Sequence, residues 1–343
     1  MKHLLNTLYV TTQGAYLARE GETVVVRVDG QTKLQVPIHT LSGIFCFGQV
    51  SMSPLLIGLC TERSVFVSFL TEYGRFLGRV EGPISGNVLL RCEQYRKAED
   101  VQAALRIVRP IVIGKIANCR TVLIRALRDR PDCDGADKLR AACLSLAQDL
   151  EALRCSEDIG QIRGIEGQAA NTYFSVFDYL ITCQKEHFFL KQRTRRPPMD
   201  PTNALLSFLY TLLVNDCMDA LQAVGLDPAI GFLHSVRPGR PSLALDLMEE
   251  LRPYLADRLT LSLINRQQVT SDDFVRQESG AVLIDDKARK VVITAWQERK
   301  LEQITHPFIQ EKIEIGLLPY VQSLLLARHL RGDLDGYPQF VWK

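Results

Sequence analysis

The spacing of apolar residues changes once along the chain, near Gly82, and this change constrains the fold more than any other feature of the sequence. From Leu4 to about Gly82 the apolar residues alternate with polar ones and are rich in β-branched and aromatic types, which is typical of strands. After Gly82 they recur at every third or fourth position, which is typical of helices. The Gly-, Pro- and Ser-containing segment at residues 81–87 predicts the boundary. We therefore expect an α+β protein with two domains, a small β-sandwich-like domain at residues 1–86 and a mostly α-helical domain at residues 87–343.

Each predicted domain contains one exception to its pattern. In the β domain, SPLLIGLCTER at residues 53–63 predicts a helix with Ser53 as its N-cap and Pro54 as its first residue. In the helical domain, AVLIDDKARKVVITAW at residues 281–296 predicts a hairpin, because two β-rich runs flank a charged turn. Helices are predicted near residues 88–128, 137–154, 157–184, 200–224 and 242–264, and the fourth of these begins at Asp200-Pro201.

Length and composition bound the class of protein. A chain of 343 residues, 46% hydrophobic and 23% charged, is long enough for two globular domains that each bury a core. No apolar stretch reaches the ~20 residues that span a bilayer, and the first residues lack a signal-peptide pattern. We therefore expect a cytoplasmic protein without a membrane segment. The nine cysteines form no CxxC pair, which predicts reduced thiols and not a zinc site.

Basic residues are segregated along the chain although the net charge is only +2. Residues 101–128 contain six basic side chains and no acidic one, and residues 188–199 contain four basic side chains and no acidic one. Because the arginine fork matches phosphate oxygens, both segments are candidates for contact with a DNA backbone. The alternative is a solvated helix face in the first segment and a solvated loop in the second. The basic residues of the second segment are Lys191, Arg193, Arg195 and Arg196.

The common nucleotide-binding and hydrolase motifs are absent from the sequence, which has no Walker loop, GxSxG, HExxH or GxGxxG after a strand. Carboxylates and one histidine remain as candidates for chemistry. Glu166 lies between Gly164 and Gly167 in RGIEGQAANTYF, and glycine costs a helix interior ~1 kcal/mol relative to alanine. This pattern indicates close approach by a backbone or a ligand. The alternative is a solvated surface glutamate.

A second group of candidates lies in GFLHSVRPGRPSLALDLMEELRP, at residues 231–253. Ser242 is a plausible cap for a helix on which Asp246 and either Glu249 or Glu250 share a face, and His234 lies just upstream. Carboxylate oxygens favour Mg²⁺ or Mn²⁺, and one imidazole nitrogen shifts the preference toward Mn²⁺. The alternative is the wet face of an amphipathic helix beside a hydrogen-bonded loop histidine.

Taken together, the β domain, the RGIEG segment and the H…GRPSLALDLMEELRP segment resemble the CRISPR-associated integrase of spacer acquisition. The resemblance covers nearly the whole chain, and the composite motif is specific although each part alone is weak. The short RTRRPPMDP connection and the overall length are similar to the variety found with type I-C systems.

The resemblance implies an active site and a reaction. By motif, Glu166, His234 and Glu249 would bind a divalent metal, Mg²⁺ or Mn²⁺, with Asp246 supporting them or serving as an occasional ligand. Arg163, one helical turn before Glu166, would face the same site and hold a phosphate. The implied reaction is transesterification, in which the 3′-hydroxyl of a short foreign DNA fragment attacks a phosphodiester at the edge of a CRISPR repeat, as part of antiviral defence. A metal can lower the pKa of the attacking oxygen and stabilise charge on the leaving group.

The resemblance also implies partners. These are double-stranded DNA, a second copy of the chain held through the β domain, a small ferredoxin-fold adaptation protein that bridges two dimers into a heterohexamer, and, in type I-C systems, an iron-sulfur nuclease. Two other functions remain open from the residues alone. One is a metal-dependent nuclease that hydrolyses branched DNA repair intermediates with the same ligands. The other is a non-catalytic DNA-binding scaffold whose carboxylates are surface charge.

Overall fold

The computed structural model describes residues 5–82 and 88–342, so most of the predicted boundary segment, residues 83–87, lies outside the described part of the chain. The described residues form two compact units. The first is drawn from Met1–Gly86 together with Ile284–Thr294, and the second from Asn87–Leu283 together with Ala295–Lys343. The sequence predicted one boundary, between residues 86 and 87, and did not predict that residues 284–294 would belong to the first unit.

The first unit contains two four-stranded sheets. Its strands are β1 (Asn6–Val10), β2 (Tyr16–Glu20), β3 (Thr23–Val28), β4 (Gln31–Pro37), β5 (Leu41–Phe47), β6 (Ser51–Met52), β7 (Phe66–Leu70) and β8 (Phe76–Val80). One sheet has the order β1-β5-β7-β8, with β1, β5 and β7 parallel and β8 antiparallel. The other has the order β4-β3-β2-β6 and is antiparallel except between β2 and β6. Apolar residues from both sheets share one core.

A helix follows β6, as the sequence predicts. Helix α1 spans Pro54–Glu62, and the Ser53 side chain caps it by accepting a hydrogen bond of 3.2 Å from the backbone N–H of Leu56. Pro54 occupies the first position, where a missing N–H costs nothing. Leu56 and Cys60 on this helix are fully buried in the core of the unit. A cap joins residues only three positions apart, which explains why the local sequence was enough to predict this helix.

The second unit is mostly helical and confirms the α+β fold class. The predicted helix at 88–128 is two helices, because Asp100 interrupts it and its carboxylate caps the second by accepting from the N–H groups of Gln102 and Ala103. The helix predicted at 242–264 is present, but a π-helical segment at Pro253–Asp257 interrupts its regular turns. This segment begins at a proline, which lacks the backbone N–H that a regular helical turn requires. The helices that follow residue 87 are α2 (Val88–Glu99), α3 (Val101–Asp129), α4 (Ala136–Arg154), α5 (Ile159–Ser175), α6 (Pro201–Val224), α7 (Ser242–Arg252), α8 (Arg258–Asn265), α9 (Asp286–Leu301) and α10 (Leu318–Arg331), and α9 up to Thr294 belongs to the first unit. The short strands are β9 (Phe274–Arg276), β10 (Val282–Ile284), β11 (Gln303–Thr305) and β12 (Lys312–Glu314).

The hairpin predicted at residues 281–296 is wrong. Its first run forms only the short strand β10, and its second run belongs to helix α9. The Asp285 carboxylate caps this helix by accepting from the N–H of Ala288 at 2.7 Å. Ala288, Val292 and Trp296 are buried and stand four residues apart, which is helical spacing. Burial at this spacing and the cap outweigh the β propensity of the VVIT run.

Helix α6 starts where the sequence predicts, with the Asp200 carboxylate accepting from the N–H of Asn203 at 2.7 Å and Pro201 in the first position. Within the described residues it is the one helix long and apolar enough to cross a membrane. However, 72% of its most apolar window is buried inside the protein, and Leu205, Leu209 and Leu212 are fully buried. A core helix has these properties. All nine cysteines are free.

Candidate active site

The candidate residues of the sequence converge at one place in the helical unit, where α3, α5, α7 and the loop before α7 meet. The loop approaches α7 closely at Gly231, since a Cβ there would lie 2.7 Å from the backbone carbon of Ser242 and 2.8 Å from Asp246 Oδ2. Glycine is therefore required at this position. Ser242, predicted as the N-cap, is instead the first residue of α7, and its hydroxyl donates to the carbonyl of Ser235 at 3.0 Å.

Asp246 holds the His234 loop in place. Its carboxylate is fully buried and accepts hydrogen bonds from the backbone N–H groups of Phe232 (2.6 Å), Leu233 (2.9 Å) and His234 (2.9 Å). The same carboxylate lies 2.7 Å from Nδ1 of the His234 ring. Because an ionised carboxylate only accepts, Nδ1 donates to Asp246, and Nε2 is the ring nitrogen turned toward Glu249. Nε2 lies 3.7 Å from Glu249 Oε1.

Glu249 is the centre of a buried charge network. Its Oε1 accepts from Arg252 at 2.6 Å, and its Oε2 lies 2.7 Å from the ammonium of Lys115. The same ammonium donates to Glu166 on α5, so Lys115 on α3 bridges two carboxylates. Glu249 is only 2% exposed, whereas Glu166 and His234 keep 25% and 20% of their side chains exposed. The network is therefore buried on one side and open to solvent on the other.

The ionisation of Glu249 follows from these contacts. Burial alone would raise the pKa of its carboxyl, but the positive charges of Arg252 and Lys115, with His234 nearby, outweigh burial and lower the pKa to about 2. For Lys115, burial would lower the pKa of the ammonium, and the two carboxylates Glu249 and Glu166 raise it instead. Glu249 is therefore ionised and the Lys115 ammonium is charged at neutral pH.

Glu250, which the sequence could not distinguish from Glu249, faces away from this network. Its carboxylate accepts from the Tyr337 hydroxyl, from Gln322 Nε2 at 3.0 Å and from the backbone N–H of Phe340 at 2.7 Å. Burial raises the pKa of Glu250 to about 7, although these hydrogen bonds act in the opposite direction. Glu249 is thus the glutamate on α7 that lies with Glu166 and His234.

The arginines predicted to bind DNA have different surroundings. Arg163 is exposed, and its Nε donates to the carbonyl of Leu233 at 2.7 Å, which ties α5 to the His234 loop. Arg193 is turned into the protein, where it donates to Asn203 Oδ1 at 2.6 Å and lies over the Tyr210 ring at 5.2 Å. Arg195 and Arg196 are exposed. Only these two side chains of the RTRR segment present their guanidinium groups to solvent.

Sequence reasoning missed Lys115 and Arg252 as members of the site. Lys115 was grouped with the other basic residues of 101–128, although it stands within the apolar run IVIGKIA, and a charge at a core position is itself a signal. Arg252 follows Glu249 by three residues on one helix, a spacing that favours an ion pair. The glycines beside Glu166 show no close approach, since a Cβ at Gly164 or Gly167 would meet nothing within 4 Å.

The donor set has the chemistry of a divalent metal site. Two carboxylates and one imidazole nitrogen are ligands that Mg²⁺ or Mn²⁺ accept, and the position between Glu166 and Glu249 already holds a cation, the Lys115 ammonium. Glu249 Oε2 is buried and accepts no well-aligned hydrogen bond. With Lys115 in this place, no three His, Cys, Asp or Glu side chains of the described residues stand close enough to hold an ion. Metal binding would therefore require Lys115 to move away from the carboxylates.

Comparison with known proteins identifies the family. Residues 8–298 match the family model described as "CRISPR associated protein Cas1". The chain belongs to the Cas1 family. It is similar over its full length to a protein of Chlorobaculum tepidum named CRISPR-associated endonuclease Cas1 1, with 54% identity over 343 residues and 100% of both chains covered.

Solved structures share the fold. A casposase bound to an integration product has a TM-score of 0.85 at 22% identity, covering 99% of this chain and 95% of the other. A Cas6-RT-Cas1–Cas2 complex contains a chain with a TM-score of 0.83 at 23% identity, covering 99% of this chain and 36% of that chain. The family model and the Chlorobaculum tepidum relative confirm the sequence resemblance at the level of the Cas1 family, and these structures show that the fold is shared.

Proposed function

We propose that this protein is a metal-dependent DNA endonuclease and integrase that inserts short foreign DNA fragments into a CRISPR array. In the reaction, the 3′-hydroxyl of a fragment attacks a phosphodiester of the repeat. The observation that carries the proposal is that Glu166 and Glu249 share one cation, the Lys115 ammonium, while His234 Nε2 lies 3.7 Å from Glu249 Oε1. The name of the Chlorobaculum tepidum relative and the integration product bound by the casposase support it.

Each residue of the site has a part in this proposal. Glu166, His234 and Glu249 would hold Mg²⁺ or Mn²⁺, which supplies activation of the attacking hydroxyl and stabilisation of the leaving oxygen. Asp246 holds the His234 ring through Nδ1, as carboxylates beside metal-binding histidines do. Lys115 and Arg252 are the positive groups beside the carboxylates and would pair with the oxygens of the reacting phosphate. Arg163, Arg195 and Arg196 would contact the DNA backbone nearby.

One observation keeps hydrolysis as a second candidate. Glu166 and His234 are a quarter and a fifth exposed, so water reaches the same position as a fragment's 3′-hydroxyl. A hydrolytic nuclease acting on branched DNA would use the same residues. A non-catalytic scaffold is disfavoured, because a buried, ionised Glu249 is costly to keep where no chemistry requires it.

The partners and the variety are part of the same proposal. We infer a homodimer formed through the β domain, and two dimers bridged by a small ferredoxin-fold adaptation protein into a heterohexamer on double-stranded DNA. The Cas6-RT-Cas1–Cas2 complex supports such an assembly, because it contains a chain of this fold. The type I-C variety, its iron-sulfur nuclease and a cytoplasmic location rest on the sequence resemblance.

Strand transfer in vitro tests the proposal. The protein and its small partner are mixed with labelled fragments bearing free 3′-hydroxyls and a plasmid carrying a leader and repeat, in Mg²⁺, Mn²⁺ or EDTA. We expect label in the plasmid, lost in EDTA and reduced at least about 1,000-fold by Glu166→Ala or His234→Ala. Glu151→Ala, an exposed glutamate paired with Arg154 on α4, is the matched control and should keep full activity. Cut but unjoined DNA would establish the hydrolytic candidate instead, and full activity of Glu166→Ala would remove the active-site assignment.

A further inference from the structure

A small cavity of the helical unit adjoins the candidate active site. Its volume is about 20 Å³, which is room for one water molecule, and the Lys115 side chain forms part of its wall. Asp257, Tyr173 and Tyr210 line the same cavity. An ammonium group is about as large as a water molecule. The cavity therefore has room for the charged end of the Lys115 side chain.

Asp257 is the acidic group of this cavity. Its carboxyl is buried and accepts a hydrogen bond of 2.7 Å from the Tyr210 hydroxyl. Among the described residues, no lysine, arginine or histidine forms an ion pair with Asp257, and the Lys115 ammonium is held by other carboxylates. Burial raises the pKa of Asp257 to about 6, so this carboxyl is mostly ionised above about pH 7. It is then a buried carboxylate without an adjacent cation, which costs free energy.

The Tyr173 hydroxyl is a second polar group of the cavity that lacks a partner. It is buried and makes no well-aligned hydrogen bond with any residue in the part of the chain that the structure describes. Burial and the nearby Asp257 carboxyl raise the pKa of Tyr173 well above its usual value, so the hydroxyl stays neutral and can accept. An ammonium has three donors, which matches the oxygens of Asp257, Tyr173 and Tyr210.

Lys115 is the basic side chain of the network that is suited to enter the cavity. Its ammonium stands at the end of a flexible four-carbon stem, so it can change position while the backbone of α3 stays in place. Arg252 also lines the cavity, but its planar guanidinium is larger than one water molecule. The space therefore fits Lys115 and not Arg252.

Lys115 occupies the position between Glu166 and Glu249 that a metal ion would take. We propose that the Lys115 ammonium moves into the cavity and pairs with Asp257 when Glu166 and Glu249 bind the metal ion. The inference rests on the proposed function, since it takes these carboxylates as metal ligands. Asp257 is then a positioning residue, which acts by drawing Lys115 away from them. The move concerns the protein before DNA binds, because a phosphate beside the metal would compete with Asp257 for the ammonium.

Metal affinity in a double-mutant cycle tests the proposal. Binding of Mn²⁺ to the full chain is measured by electron paramagnetic resonance at about pH 7.5, where Asp257 is ionised, and without DNA. We expect Asp257→Asn to weaken Mn²⁺ binding about tenfold, because Lys115 then keeps its place at the carboxylates. In a Lys115→Met background the same substitution should change the affinity less than about twofold, since no ammonium needs a new position.

Three further variants control for changes in structure. Asp149→Asn removes a buried carboxylate of α4 that does not line the cavity, and it should keep the wild-type affinity. Ala170→Leu fills the cavity from α5 and leaves Asp257 in place. It should weaken Mn²⁺ binding as Asp257→Asn does, and it tests the proposal without any change of Lys115. Glu166→Ala should remove most of the binding, which assigns the measured ion to the carboxylates.

Two outcomes would overturn the proposal. Equal loss of affinity from Asp257→Asn in both backgrounds would mean that Asp257 acts without Lys115. Wild-type affinity of both Asp257→Asn and Ala170→Leu would mean that Lys115 moves to a different place. Strand transfer by the wild type is read separately. Mn²⁺ binding with the expected coupling but without joined DNA counts against the proposed function alone, and joined DNA without the coupling counts against this inference alone.

Discussion

Residues 5–82 of the first unit and the candidate active site of the helical unit treat charge in opposite ways. Among residues 5–82 the ion pairs lie at the surface, for example Arg63 with Glu22, whose side chains are 55% and 52% exposed. In the helical unit Lys115, Glu249 and Arg252 pair with one another at 9%, 2% and 11% exposure. Exposed pairs cost little and contribute little, whereas buried charges lose hydration that their pairing only partly restores. The charges that are costly to bury at Lys115, Glu249 and Arg252 therefore lie at the candidate active site.

The largest expected effect comes from removing the central cation. Lys115→Met should lower the free energy of unfolding by about 3 kcal/mol in EDTA, because it removes one of the two cations that pair with the buried Glu249 and leaves only Arg252. Urea unfolding measures this change, and Mn²⁺ should restore part of the loss if the freed carboxylates bind it. Lys185→Met, which removes an exposed lysine 3.6 Å from Asp178, is the control and should change stability little. Equal stability of the Lys115 variant and the wild type in EDTA would contradict the comparison between the units.

A second effect is expected from Asp257, a fully buried carboxyl of the helical unit that accepts a 2.7 Å hydrogen bond from Tyr210. Burial raises the pKa of Asp257 to about 6 from the usual 3.8. The folded protein then holds a proton that the unfolded chain releases. The contribution of Asp257 to the free energy of unfolding is therefore full below pH 4 and is lost as the pH rises through 6. The loss is about 3 kcal/mol.

Asp257→Asn tests this sign, because asparagine cannot release the proton. The stability of the variant relative to the wild type should increase between pH 4 and pH 7 in urea unfolding. Asp272→Asn, which changes an exposed residue of a turn, is the control. Its stability relative to the wild type should be the same at both pH values. A difference between Asp257→Asn and the wild type that stays constant with pH would mean that folding does not shift the pKa of Asp257.

A smaller effect should follow from Asp246→Asn, which alters the residue that orients His234. Strand transfer should fall about 10–100-fold, the usual range for a group that positions a metal-binding histidine. The loss should appear as a higher Mn²⁺ requirement, since the imidazole is less well oriented. Asp227→Asn, whose carboxylate accepts from Tyr95, is the matched control and should keep the wild-type requirement. An unchanged Mn²⁺ dependence of Asp246→Asn would show that His234 needs no positioning.

The smallest effect is expected in the first unit. Arg63→Gln breaks an exposed ion pair with Glu22 and should cost at most about 1 kcal/mol of stability. Strand transfer should stay at the wild-type rate. A loss of several kcal/mol would show that exposed pairs matter as much as buried ones, which would remove the contrast between the two units.

Much of the secondary structure could be predicted because its causes are local. Ser53 and Asp200, each followed by proline, predicted helix starts that the structure confirms, since a cap depends on residues three positions away. The hairpin at 281–296 was predicted wrongly because its structure depends on burial and not on local sequence alone. Its β-branched residues favour a strand only weakly, and burial of Ala288, Val292 and Trp296 on a helical face decides the outcome.

By itself, the sequence determined the candidates for chemistry, Glu166, His234 and a glutamate of α7, because their residue types and motif are visible in one dimension. Only the tertiary structure decided that Glu249 joins them while Glu250 turns toward Tyr337, since one step along a helix rotates a side chain by about 100° and packing selects the face. It also brought in Lys115, which lies 51 residues before Glu166. Ion pairs depend on distance in space, and that distance is set only when the helices pack.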